Sequence, residues 1–192
     1  MATEIQQRTA QLLRRATSGD PAAADELLPL VYDELRRIAR RLLADQPKAA
    51  LQPTELIHEA YVRLLGGDNG APTVEDRRHF RRLTTRAMRH VLVDQARARM
   101  ADKRGGGQRP ATLDEALAST GDRGEHVLAV HEALQALAAL DPQLAEIVEL
   151  RFFGGSTMEE IAELLGVSRR TVQRGWQLAR AWWVEEYAEG DS

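Results

Sequence analysis

Residues Ser156 to Trp183, STMEEIAELLGVSRRTVQRGWQLARAWW, constrain the fold more than any other stretch, because caps, turn and apolar spacing agree on two short crossing helices. Ser156 or Thr157 can cap the first helix, with Glu159 or Glu160 three residues on to close a capping box. Met158, Ile161, Ala162 and Leu165 then share one face. Gly166 supplies the turn, Ala162 leaves room for a crossing helix, and Val167 plugs the corner. Ser168 caps the second helix, whose Val172, Trp176, Ala179 and Trp183 recur at steps of four, three and four as a buried seam. At roughly 100° per residue, Arg170, Gln173, Arg174 and Gln177 project from the opposite side. The pattern is a helix-turn-helix, and its outer face suits a DNA major groove: Arg forks onto a guanine edge and Gln onto an adenine edge. On an isolated helix these side chains would only solvate it; two caps, a turn glycine and a small crossing residue in register favour groove reading. Gly175 lies inside the second helix, where glycine costs about 1 kcal/mol relative to alanine. Its direction, about 60° from the seam, predicts close approach of a neighbouring helix rather than base contact.

An acidic chain is an unpromising DNA binder, so the distribution of charge matters more than the net value of -3. Residues 77–109 carry eleven Lys/Arg against two Asp/Glu, a net +9, whereas residues 110–163 carry two against eleven, a net -9. Residues 164–184 are basic again, with four Arg and no acid. Two basic segments separated by an acidic one predict two DNA-facing surfaces rather than one basic protein. With 192 residues, 43% hydrophobic and 29% charged, the chain has an ordinary globular composition, long enough for one large or two small domains. It holds no cysteine, which excludes disulfides and thiolate metal sites, and no apolar run of membrane-spanning length. The opening MATEIQQRTAQLLRR lacks the hydrophobic core of a signal peptide. A cytoplasmic location is the expectation.

In chain order, residues 3–18 form a first predicted helix, and Asp20 with Pro21 caps a second that runs to about Ala44 on Leu27, Leu30, Val31, Leu35, Ile38 and Leu42. Pro29 predicts a kink or break near its start. Thr54 is the expected cap of TELIHEAYVRLL, with Leu56, Ala60 and Leu64 inward and Glu55, His58, Glu59 and Arg63 outward. A long basic helix is predicted from Val74 to about Arg104, with Phe80, Leu83, Ala87, Val91 and Met100 at apolar positions. GGGQRP then breaks it, and the stretch to about Gly124, short of large apolar residues, is expected to be a flexible linker. Helices over Val127–Leu140 and Gln143–Phe153, the latter capped by Asp141 and Pro142, complete a second domain with the helix-turn-helix. No segment alternates as a strand does, so the expected fold is all-α: two small helical domains, 1–104 and 125–187, joined by a linker at 105–124.

Catalytic motifs fail on inspection. His58 and Glu59 begin an HExxH zinc signature, but its second ligand position is Val62. His90 and Asp94 are spaced to meet on one helix face, as a solvated polar pair does. The glycines at 105–107 lack the Lys and Ser/Thr of a phosphate loop, and no serine sits in a nucleophile elbow. Neither a catalytic constellation, a metal site nor a cofactor site is expected.

The order of these parts resembles the ECF (extracytoplasmic function) sigma factors, minimal bacterial sigma factors that keep only the second and fourth conserved regions. LQPTELIHEAYVRL is similar to the region-two helix that grips the clamp helices of RNA polymerase's largest subunit. HFRRLTTRAMRHVLVDQARARMADKRGGG resembles the segment that reads and opens the minus-10 element, and ELRFFGGSTMEEIAELLGVSRRTVQRGWQLARAWW resembles region four, which reads the minus-35 element. Carried over by position, the resemblance implies core-polymerase contacts at Glu55, His58, Glu59 and Arg63. It implies minus-10 contacts at Arg89, His90, Asp94, Arg97 and Arg99, with Lys103 and Arg104 on upstream phosphates. Minus-35 contacts would come from Ser168, Arg169, Arg170, Gln173, Arg174 and Gln177. Leu83 and His90 stand where many relatives have Trp and Asn. The implied partners are core RNA polymerase and promoter DNA, with an anti-sigma factor common in the family, and neither a membrane nor a small-molecule substrate. A regulator that binds operator DNA without the polymerase would need an effector or dimerisation domain, and residues 1–104 show neither alternating strands nor a heptad seam.

Overall fold

Helix α1 (Ala2–Thr17) turns into α2 (Pro21–Leu43) through Gly19, whose φ of 89° belongs to the left-handed region that glycine enters without a Cβ clash. Asp20 closes the turn by accepting from the Ala23 N–H at 3.2 Å, and Arg15 reaches the same carboxylate at 2.7 Å, holding it below the usual carboxylate range. The computed structural model describes residues 2–43, 51–65, 77–102, 110–118 and 124–188. Over these residues the chain is all-α, with no strand.

The expected kink or break at Pro29 is not a break: α2 runs through Pro29 as one helix. Pro29 and Asp25, whose carbonyl loses its partner N–H, are both solvent-exposed, so water can take the orphaned oxygen. The stripe Leu27, Val31, Leu35, Ile38 and Leu42 is buried along the other side and anchors the helix past the proline. Helix α3 (Pro53–Leu65) also starts differently from expectation. Gln52, not Thr54, is the cap: its N–H donates to Glu55 Oε2 at 2.9 Å, and Pro53 occupies the first turn, where no N–H is needed. Tyr61 of α3 ties back to α2 through its hydroxyl and the Ala24 carbonyl at 2.7 Å, and burial pushes that phenol up to about 12.

Helix α4 (Arg77–Asp102) is the long basic helix, and it packs on α1, α2 and α3 on one side and on the second half of the chain on the other. Within the stretch expected to be linker, a short helix α5 (Leu113–Ala118) forms, with Leu113 and Ala116 buried. Two apolar residues one turn apart are enough to dock it; its neighbours at 103–109 and 119–123 lie outside the described residues. Helices α6 (Gly124–Leu140) and α7 (Pro142–Phe152) follow, α7 capped by Asp141, which accepts from the Gln143 and Leu144 N–H groups. Then come α8 (Met158–Leu165), α9 (Arg169–Trp182) and a π-helical turn, Trp183–Ala188. A single continuous cluster of buried side chains runs from Leu12 to Trp183, so the two halves share one core.

Candidate nucleic-acid interface

The α8–α9 pair is built by local chemistry. Thr157 accepts from the Glu160 N–H at 3.1 Å while the Glu160 carboxylate takes the Thr157 N–H at 2.9 Å, a complete capping box. Gly166 ends α8 at φ 67°, and Ser168 starts α9 by accepting from the Thr171 N–H at 3.1 Å. Val172, Trp176, Ala179 and Trp183 are all buried, as their spacing predicts. Gly175 is buried too, against α7: a Cβ there would meet Ile147 Cδ1 at 2.5 Å, which agrees with the expected helix approach.

This seam fixes which side of α9 faces out. Ser168, Arg169, Arg170, Gln173, Arg174 and Gln177 are exposed. Arg169 pairs with Glu159 at 2.7 Å across the turn, an exposed pair that solvent screens. Arg170 and Arg174 make no ion pair among the described residues, and with Gln173 they present long donors to solvent. The end of α9 and the π-turn after it are fastened to α5 and the residues leading into it: the Trp183 indole N–H donates to the Pro110 carbonyl at 3.2 Å, and Arg180 pairs with Asp114 at 2.6 Å. Sequence reasoning missed this strap.

On α3, Glu55, His58, Glu59 and Arg63 are exposed together, and Val62 between them is 53% exposed, an apolar residue in a polar face. Glu55 spends one oxygen on the Gln52 cap, and Arg63 pairs with Asp94 of α4 at 2.8 Å. The residues with which the resemblance links polymerase and minus-10 DNA are thus joined by an ion pair.

The basic face of α4 is in a different state. Asp94 and Arg97 are exposed and Arg99 is half-buried; Lys103 and Arg104 lie outside the described residues. The Arg89 side chain, only 11% exposed, lies against Glu149 of α7, itself 12% exposed, with Nε 2.9 Å from Oε1. The pair is close but not aligned as a hydrogen bond. Burial pushes the Glu149 carboxyl up, with Arg89 opposing, and pushes Arg89 down, with Glu149 opposing. Arg89 Nη1 also lies 3.3 Å from His131 Nδ1 on α6, and the His131 ring meets His90 edge to face at 6.5 Å. Burial first, and Arg89 second, hold both imidazoles below their ordinary value.

Closer to the start of α4, Arg82 pairs with Glu146. Arg81 donates to the buried Ser156 hydroxyl at 3.1 Å and lies 3.4 Å from Glu160, the capping-box residue of α8. Arg41 of α2 donates to the Gly155 carbonyl at 2.7 Å. Burial raises Glu160, but the Thr157 N–H and then Arg81 and Arg41 outweigh it and hold the carboxyl low. The +9 and -9 blocks of the sequence therefore face each other across this contact. Their opposite signs were the available signal, and reading each block as a separate surface concealed it.

No metal-binding cluster of three or more His, Cys, Asp or Glu occurs among the described residues, and no helix among them is long and apolar enough to cross a membrane. A protein-family model described as ECF sigma factor matches residues 6–189. No curated protein and no solved structure matches the chain.

Proposed function

The chain belongs to the ECF sigma factor family, and from that premise we propose how its surfaces divide the work of a sigma factor, a protein that binds core RNA polymerase and directs promoter-specific transcription. Region four, residues 125–187, reads the minus-35 element with Ser168, Arg169, Arg170, Gln173, Arg174 and Gln177. The observation that carries this assignment is the exposed Arg and Gln face of α9 above a buried seam, capped at Ser168. An arginine of that face can fork onto a guanine and a glutamine onto an adenine. Region two, residues 1–104, presents Glu55, His58, Glu59 and Arg63 to the polymerase and Arg89, His90, Asp94, Arg97, Arg99, Lys103 and Arg104 to the minus-10 element.

Chemistry belongs to the polymerase in this proposal, and the sigma chain contributes only recognition. Cytoplasmic residence and control by an anti-sigma factor are parts of the same proposal, supported by the family alone. Residues 105–124 are the linker between the regions, with α5 as a docked segment inside it. Few aromatics are available to stack on unpaired bases, only 5% of the chain, so strand opening should depend strongly on promoter sequence. The test is to add the pure chain to core polymerase on a library of promoters. Initiation from promoters with two defined elements supports the assignment; DNA binding with no initiation would reassign the chain to operator regulation.

A further inference from the structure

Residues 77–109 carry eleven Lys/Arg and two acids, and one of those acids, Asp94, stands in the middle of the exposed face of α4. Arg86, His90, Asp94, Arg97 and Ala101 are all exposed and follow one another at steps of four, four, three and four, along one side of the helix. Arg86 and Arg97, on either side of Asp94, make no ion pair among the described residues. Asp94 is itself 53% exposed and pairs with Arg63 of α3, whose Nη1 lies 2.8 Å from Oδ2. An ion pair this open to water contributes little to stability. An acid on a helix that faces DNA is repelled by phosphate, and a carboxylate can only accept, so it gains where a base edge offers a donor. In the major groove cytosine offers its N4 amine. Adenine sets an N6 amine beside the N7 acceptor, and guanine and thymine turn acceptors outward.

We propose that Asp94 determines specificity within the minus-10 element by accepting from the N4 amine of a cytosine, and that Arg63 is the residue that positions it. This rests on the assignment of α4 to the minus-10 element made above and adds the class of base to it. Arg63 occupies Oδ2 and leaves Oδ1 to the amine, and its charge offsets the repulsion between the carboxylate and the phosphates on either side of the base. Arg86 and Arg97 hold those phosphates, which sets the register of the helix without reading sequence. The two kinds of side chain then divide the work along one row: cations grip the backbone, and the acid between them accepts the one edge that presents an unaccompanied donor.

The test reads initiation by preassembled holoenzyme from a promoter library randomised across the minus-10 element. Arg63 stands on the face assigned to polymerase, and ratios between bases within one holoenzyme do not depend on how much of it assembles. The parent is expected to prefer cytosine at one position by about fivefold or more. Asp94→Ala should flatten that position alone. Asp94→Asn, which carries a donor beside an acceptor, should turn the same position toward adenine, whose N6 and N7 it matches. Arg63→Ala should lower the cytosine preference there, and Arg63→Lys should restore part of it. Both sites are exposed, and melting curves like the parent's check that each variant is folded. A uniform gain on every sequence from both Asp94 variants would make Asp94 a charge that only repels phosphate, and unchanged profiles would make it the solvated half of an ion pair; either result overturns the inference. A flattened position at which the parent prefers any base but cytosine overturns it too, and a full cytosine preference in Arg63→Ala removes Arg63 from it. If the parent initiates with a defined minus-10 preference while the Asp94 variants behave as parent, only this inference fails; if the parent does not initiate at all, the sigma assignment fails with it.

Discussion

Helices α4 and α9 both carry rows of arginine, yet the structure treats the rows oppositely. On α9, Arg170 and Arg174 stand in solvent over a seam of Val172, Trp176 and Ala179. On α4, Arg81, Arg82 and Arg89 are drawn into carboxylates from the other half of the chain. An arginine's usefulness to DNA is therefore set by what already holds it. The α9 arginines stand open as they are, whereas those of α4 are already engaged.

Replacing one arginine from each row is the direct way to break this contrast. Arg89→Ala leaves Glu149 buried without its partner, so thermal or denaturant unfolding should show the chain destabilised by about 3 kcal/mol. A melting curve like the parent's would mean that Arg89 is not held as described. Arg170→Ala should leave the melt within about 0.5 kcal/mol of the parent, as exposed substitutions do. It should instead cost roughly 1–3 kcal/mol of promoter affinity in the holoenzyme and relax preference at one base pair. If promoter-variant profiling shows uniform weakening, Arg170 holds a phosphate rather than a base.

The α3 face sharpens the comparison from outside DNA. Glu59→Arg should weaken core polymerase binding by about 1 kcal/mol or more and leave minus-35 binding by region four unaltered; equal core affinity would make Glu59 a solvated residue. The smallest effect concerns pH. His90 and His131 are held below their ordinary value in the folded chain by burial and by Arg89, so the unfolded chain takes up protons first as pH falls. Their contribution to stability is present above the ordinary histidine value of about 6.5 and is lost below it. Glu149, raised by burial, acts in the opposite sense, losing stability as pH rises through the carboxylate range. Melting temperature should therefore decline between pH 7.5 and 5.5, and His131→Gln should flatten that decline. An unchanged slope would remove His131 from the account.

What the sequence made legible divides along the same line. Caps, turn and seam of the helix-turn-helix depend on residues within four positions of one another, so Gly166, Ser168 and Trp176 could be placed before any tertiary contact was known, and the first cap narrowed to Ser156 or Thr157. Helix α2 was legible in extent but not in its continuity, because an apolar stripe and an exposed carbonyl let the helix run through Pro29. Gln52 displaced Thr54 as cap because the Glu55 side chain reaches back to the Gln52 N–H, an option that the Thr54 signature conceals. The state of Arg89 lay beyond local reasoning altogether: its partners Glu149 and His131 are sixty and forty-two positions away, and periodicity shows only that an arginine faces outward from its own helix.

The strap between α5 and α9 sets a length. With Pro110 held by Trp183 and Asp114 by Arg180, only the chain from Asp102 to Pro110 is left to join α4 to the strapped end of α9. Fully drawn out, those eight steps reach about 29 Å, less than the roughly 34 Å of one turn of DNA. A linker running from 105 to 124 would have given more than twice that reach. While the strap holds, α4 and α9 are on a short lead. Were α4 and α9 to read two promoter elements as proposed, moving those elements apart by a full helical turn would keep both faces correctly oriented and still put them out of range, so the spacer length would be measured by a tryptophan and a proline carbonyl.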